Sequence, residues 1–492
     1  MELTQEITKK QANTAILQQQ IKLLAACIGL SGLFFFGLTL PQWYFVGMSV
    51  ALLVAALARW PMLGLVAMTL TVAFINLEVH WSPSFFSGVD LNVPIVDLVA
   101  LLTFIAGSLR LFFGKERQAA VRALHVMRRQ YRVPMFWFGV FLGVALLSTI
   151  NAPEPLAAIK YILRPLLWFV AMYLVIPMAI ITDRRRMSVM LATFVFVGFA
   201  VTAMGLASLY GQHDVAVRRV VPIAIAGVFP MGTNHNQIAE VLLATLPMML
   251  LWAAYTLRQD NHRGYRLVIL TMLPVAFTLL ATLSRAGAIG LAVEAVVLLA
   301  LVVRPKPRQV VIGATLIGAL LLPFAGSFIR LAKAEAGQSA NENRLLLTET
   351  ALTMWQEHPW IGNGIGSFVP LLALDRRYTA KFGEPLDAHG IIQKLLPETG
   401  LFGLVTFGLF WVSLLQMFWR KYAEARAHSK LEPRTYNLEP SAFWLALFLG
   451  TSAFQLFGTS YFIGRFWLPV GVGLAAMAMS TRGQKLSNSV IQ

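Results

Sequence analysis

Cysteine is almost missing from this chain: Cys27 is the sole one in 492 residues. An intrachain disulfide and a cysteine-based metal centre are therefore both excluded. Charge is scarce as well, with only 13% of residues Asp, Glu, Lys or Arg, and acids are outnumbered 23 to 40. No Asp/Glu cluster of magnesium-binding form occurs in the segments between apolar runs, so no metal or other cofactor is expected. The net charge of +17 does not indicate nucleic acid. That function needs basic residues on one accessible face, whereas here they fall in short clusters between apolar runs. No internal repeat of the kind that marks two-halved transporters is apparent. The first 20 residues are polar, with Lys9 and Lys10, and no small-x-small cleavage site follows, so the first apolar run is expected to remain as a span.

What the chain has in abundance is apolar sequence: 57% hydrophobic residues and a mean hydropathy of +0.67. A single soluble core cannot bury that much, which leaves the bilayer. Runs of about 20 apolar residues, each enough to cross ~30 Å of hydrocarbon, recur roughly 14 times. The expected fold class is thus all-α: a polytopic membrane protein of about 12–14 transmembrane helices with one long periplasmic loop containing short helices. The lower count applies if the early runs near Pro41 and Pro61 are re-entrant or tightly paired.

Lys and Arg accumulate in cytoplasmic loops. With the N-terminus inside, the basic clusters at 110–132, 184–186, 258–266, 304–308 and 420–434 all fall inside, a bias of roughly two to one. The expected organisation is a cytoplasmic segment at 1–20, transmembrane helices at 21–326, a periplasmic loop subdomain at 327–389, further transmembrane helices at 390–480 and a cytoplasmic tail at 481–492.

Within the long loop, Asn341 to Trp355 lacks Gly and Pro and carries apolar residues at helical spacing, which predicts an amphipathic helix ending at His358-Pro359. Arg344, Thr348, Ala351 and Trp355 share one of its faces. Gly362, Gly364 and Gly366 follow. A phosphate-cradling loop would need a lysine and a following helix, so a tight turn beside the membrane is the better reading. Asp387-Ala-His389-Gly390 then opens an apolar helix whose histidine face continues through Gln393, Leu396, Gly400 and Gly403, leaving room for another helix or a lipid chain. His389 either caps that helix or acts as a base whose tautomer Asp387 fixes. The stretch 371–384 is expected to be acceptor-facing or disordered.

Arg164, Arg218, Arg219, Arg285, Arg344 and Arg465 all fall at the predicted outer interface. A lone arginine there can snorkel. A set of six suits bidentate recognition of phosphate, and a lipid-borne diphosphate is the natural ligand. Glu240 and Glu294, inside apolar runs, are either functional or paired with one of these arginines. Asn234-His235-Asn236 caps a span, and Asn236 joins Arg164, Arg218, Arg219, Trp355, Asp387 and Arg465 among the candidate substrate-binding residues.

Ser284-Arg285-Ala-Gly287, then Arg344, Trp355, Pro359, the Gly362/Gly364/Gly366/Phe368 series, His389 and Gly400-x-x-Gly403 together resemble the O-antigen ligase and polymerase superfamily over residues 230–410. The resemblance implies an enzyme of the bacterial inner membrane. It would move a glycan from undecaprenyl diphosphate to an acceptor, lipid A-core for a ligase, at the periplasmic face without metal. It also implies His389 as general base and Arg285 and Arg344 as diphosphate-binding residues. Gly390 departs from the family, whose ligases carry Asn, Ser or Gln after the histidine. A polymerase of O-antigen or exopolysaccharide, or a protein O-glycosyltransferase, is the alternative within the family; a lipid-linked glycan flippase is the alternative from another class.

Overall fold

The computed structural model describes residues 42–490 apart from 75, 82–90, 114–129, 164–165, 167–168, 211–216, 259–260, 304–307, 309–314, 316–323, 328, 331–332, 334, 430–439 and 462. The expected spans around residues 30 and 318, the 1–20 segment, Cys27 and Arg164 lie outside the described residues.

The chain is a helical, polytopic membrane protein. In order, the elements needed below are α1 (Gln42–Arg59), α2 (Pro61–Thr71), β1 (Glu78–Trp81), β2 (Leu91–Pro94), α3 (Ile95–Phe113), α4 (Arg132–Ser148), α5 (Pro155–Tyr161), α6 (Phe169–Ile180) and α7 (Arg184–Ala207). There follow α8 (His235–Arg258), α9 (His262–Ala281), α10 (Arg285–Leu298), α11 (Glu335–Glu357), α12 (Phe368–Leu374), α13 (Arg376–Phe382), α14 (Ile391–Ser429), α15 (Pro440–Gln455) and α16 (Gly464–Val490). Among the described residues six helices are long and apolar enough to cross a membrane. α1 and α2 meet at 109° and together make a seventh, broken span or a re-entrant loop, one of the two arrangements the Pro61 break allows. The expected spans near 103, 172, 450 and 471 are shorter apolar helices.

Local sequence sets the helix boundaries. Pro61 opens α2, where its missing N–H costs nothing. Asp183, Asn261 and Ser284 cap α7, α9 and α10, accepting from the backbone of Arg186, Gly264 and Gly287. The antiparallel pair β1–β2, with Val79 opposite Val93, is a small departure from the all-α expectation.

Packing is densest where α10 meets α15, α14 meets α4, α8 meets α9 and α16 meets α6. Phe136, Leu147, Phe196, Leu270 and Val296 point outward and are exposed, as lipid-facing side chains must be. The loop between α10 and α14 is ordered where it is described. The 371–384 stretch, expected to be acceptor-facing or disordered, folds into most of α12 and α13. Tyr378 is fully buried against Phe368, Leu372, Leu347 and Ala351, and burying that ring accounts for the order.

α14 is broken at Gly400, which has φ 64° and ψ −168°. The loop after α11 repairs the break. Asn363 N donates to Pro397 O (2.8 Å), Gly364 N to Glu398 O (3.0 Å), Leu401 N to Pro359 O (2.9 Å) and Phe402 N to Trp360 O (3.1 Å). A Cβ on Gly362 would overlap the Glu398–Thr399 backbone, and one on Gly400 would overlap Trp360. The two glycines let two backbones touch, so polar groups freed by the kink find partners in the loop. The bare face below His389 is therefore filled by the protein's own loop, and the glycine series is a structural turn.

Candidate active site

Ser284 starts the site. Its hydroxyl donates to Asn236 Oδ1 (2.7 Å) and accepts from Gly287 N, tying the first turn of α8 to the first turn of α10. Asn234 caps the same end of α8, its Oδ1 accepting from Asn236 N at 2.9 Å. Arg285 is thereby presented at the mouth of the bundle. Its Nη2 donates to Asn341 Oδ1 on α11 at 2.8 Å. Asn341 and Arg344 are three residues apart and so share a helix face, which brings the two arginines together. Burial and the Arg285 charge both hold the Arg344 guanidinium below its usual pKa. Two like charges thus lie close enough to act on one another.

Two further groups join them. Arg219, in the segment before α8, is half-buried, and burial lowers its pKa. The charges of Arg219 and Arg344 both reach His235, the first residue of α8. Sequence reading gave His235 only a capping role. Its position beside two asparagines at the mouth of a span was the available signal.

His389 is half-buried on the other side. Burial first, and the Arg344 charge second, depress its pKa below 6.5, with Asp387 partly opposing them. Its backbone N–H donates to Gln393 Oε1 at 2.7 Å. The Asp387 carboxylate does not serve the imidazole as expected: both oxygens accept from Lys394 Nζ, at 2.7 and 2.6 Å. Lys394 is only 3% exposed and lies 5.5 Å from the Tyr161 ring centroid. Glu398, one turn further, is fully buried and accepts from Phe368 N through Oε1. This polar cluster, which the sequence did not reveal, underlies the histidine loop.

The remaining candidates have these surroundings. Arg465 is committed to Glu240 (3.3 Å), both side chains only 4% exposed, and Glu240 also accepts from Gln455 Nε2 (3.2 Å) and Ser460 Oγ (2.9 Å). Pairing, one of the two roles open to Glu240, is what the fold uses. Trp355 Nε1 donates to Pro359 O at 2.9 Å, fastening the end of α11 to the glycine turn. Arg218 is exposed. Glu294 is buried against Gly450, without an arginine partner.

These features define a class: a multi-pass helical membrane protein with a histidine and a cluster of arginines at one mouth of the bundle. Residues 267–408 match the family model described as O-Antigen ligase, which supports the resemblance of this segment to the O-antigen ligase superfamily. The match supports glycan ligation of the O-antigen ligase and polymerase type. It spans Arg285, Arg344, Trp355, Asp387 and His389 and leaves out Arg218, Arg219, His235, Asn236 and Arg465. No curated protein matches the chain.

Proposed function

We propose that the protein transfers a glycan from undecaprenyl diphosphate to an acceptor at the periplasmic face of a bacterial inner membrane, with both termini cytoplasmic. Lipid A-core is the preferred acceptor. The observation that carries this reading is the proximity of Arg285, Arg344 and His389: Arg285 bonds Asn341 on the Arg344 helix, and Gln393 bridges that helix to His389.

The chemistry is one displacement. An acceptor hydroxyl attacks the anomeric carbon, and the bond from that carbon to the diphosphate oxygen breaks. His389 takes the hydroxyl proton, and undecaprenyl diphosphate leaves with the bonding pair. Attack opposite the leaving group inverts the anomeric centre. The two arginines stabilise the growing negative charge as fixed positive groups, each worth about 10²-fold by comparison with oxyanion donors. His389 suits the base role because its depressed pKa keeps it neutral at physiological pH. The step as drawn routes nothing through a metal.

A polymerase of O-antigen or exopolysaccharide, or a protein O-glycosyltransferase, would use the same donor site with another acceptor. Purified protein in liposomes with a lipid-linked glycan separates the readings. Glycan transfer to lipid A-core without transbilayer movement supports the ligase. Transfer to a second donor molecule identifies the polymerase. Movement without transfer identifies a flippase and overturns the proposal.

A further inference from the structure

The histidine and the arginine assigned to the diphosphate come from separate elements, and the Gln393 side chain bridges them beside the histidine. Gln393 is half-buried on the first turn of α14. Its Oε1 accepts from His389 N at 2.7 Å, and its Nε2 donates to Thr348 Oγ1 on α11 at 2.8 Å. Thr348 Oγ1 in turn donates to the carbonyl of Arg344, one turn back, at 2.8 Å. The amide is used at both ends. A carboxamide offers an acceptor at one atom and a donor at the other, and both are used here.

The rest of the histidine loop is fastened elsewhere. Thr459 Oγ1 donates to Ala388 O at 2.9 Å. A Cβ on Gly390 would come within 2.5 Å of Leu456 O. Asp387 is held by Lys394. None of these contacts reaches α11. Asn363 Nδ2 also bridges the two helices, donating to Met354 O on α11 and Pro397 O on α14, but at the far end of α11; the Gln393–Thr348 bond is the bridge at the turn that carries His389.

We infer that Gln393 is a positioning residue that sets the spacing between His389 and Arg344, so that base and diphosphate charge act on one substrate. This rests on the site reading above. A near-attack geometry loses about 10²-fold in rate for a 1 Å misplacement, so a bond linking these elements has a direct catalytic consequence. Arg344 on α11 and Asp387 on the loop are the charged groups that act on the imidazole; Asp387 is itself paired with Lys394.

The test reads His389 directly. Diethyl pyrocarbonate modifies neutral imidazole, and peptide mass spectrometry of the full-length protein in detergent gives the pH midpoint of modification at His389. In wild type the midpoint should fall below the ordinary histidine value of 6.5, since burial and Arg344 depress it. In Gln393→Leu and in Thr348→Ala it should rise by about half a pH unit as the imidazole moves from Arg344 and into water. Thr348→Ser, which keeps the hydroxyl, should restore the wild-type value. A purely structural role would lower the melting temperature and leave the midpoint in place, and that result overturns the inference. Thr348 is exposed, so Thr348→Ala carries the test if Gln393→Leu fails to fold. Millimolar inorganic diphosphate, added to wild type, tests the site reading separately. It should raise the midpoint by shielding Arg344; no response contradicts the diphosphate site and leaves the variant comparison to decide the role of Gln393.

Discussion

Lys394 and Asp387 form a bidentate ion pair directly beneath the His389 loop, with Nζ 2.7 and 2.6 Å from the two carboxylate oxygens. The lysine side chain is 4% exposed and the aspartate 32%, so the cost of removing one partner falls mainly on the lysine side of the pair. Glu398, fully buried one turn away, would lose its nearest positive charge. Lys394→Met is expected to destabilise the protein by about 3 kcal/mol, the lower end for breaking a buried pair. Thermal unfolding in detergent measures this; an unchanged melting temperature would show that the cluster holds nothing together.

The catalytic assignment predicts a distinct kinetic pattern. His389→Ala should lower kcat for glycan transfer by about 10²- to 10⁴-fold, the range for a general base, with the protein still folded. The wild-type pH profile carries a second prediction. Only neutral imidazole accepts a proton, and burial with Arg344 lowers the pKa. Activity should therefore hold below pH 6.5 and fall only as pH drops through the depressed value. An acidic limb above 6.5 would mean that another group is titrating.

The break in α14 predicts that Gly400 and Gly362 are irreplaceable. Gly400 sits at φ 64°, and its Cβ would collide with the Trp360 backbone. Gly400→Ala should cost several kcal/mol, beyond the roughly 1 kcal/mol of strain alone, because the loop must move off the helix. Membrane abundance by immunoblot is the readout, with Gly408→Ala, at an open position, as the control that should accumulate normally.

Arg465 distinguishes a structural arginine from a ligand-binding one. Arg465→Met leaves the Glu240 carboxylate buried with only Gln455 and Ser460 as donors. Adding Glu240→Gln should recover much of the lost stability, since the pair is then replaced rather than broken. If the double variant remains as unstable as Arg465→Met, the two residues do not act as a pair.

Much of the fold was readable from the chain because apolar run length, proline and capping residues act locally. The α11 helix ends where His358-Pro359 requires. The individual arginines were readable only as a set. Burial and pairing are tertiary properties, so nothing local separates Arg465, paired with Glu240 225 residues earlier, from Arg344, beside Arg285. Lys394 was invisible for the same reason: within the apolar run it looks like an interruption, and Tyr161 and Asp387 make it a buried anchor. His235 could have been suspected from its place at the mouth of a span, but only the approach of Arg219 and α11 gives it that setting.

The most direct measurement is an experimental structure with undecaprenyl diphosphate bound. The account predicts diphosphate oxygens within hydrogen-bond reach, about 2.7–3.2 Å, of Arg285 and Arg344, with the His389 imidazole facing the position the anomeric carbon would take. A diphosphate held at any other arginine, with Arg285 and Arg344 free of it, would contradict the account.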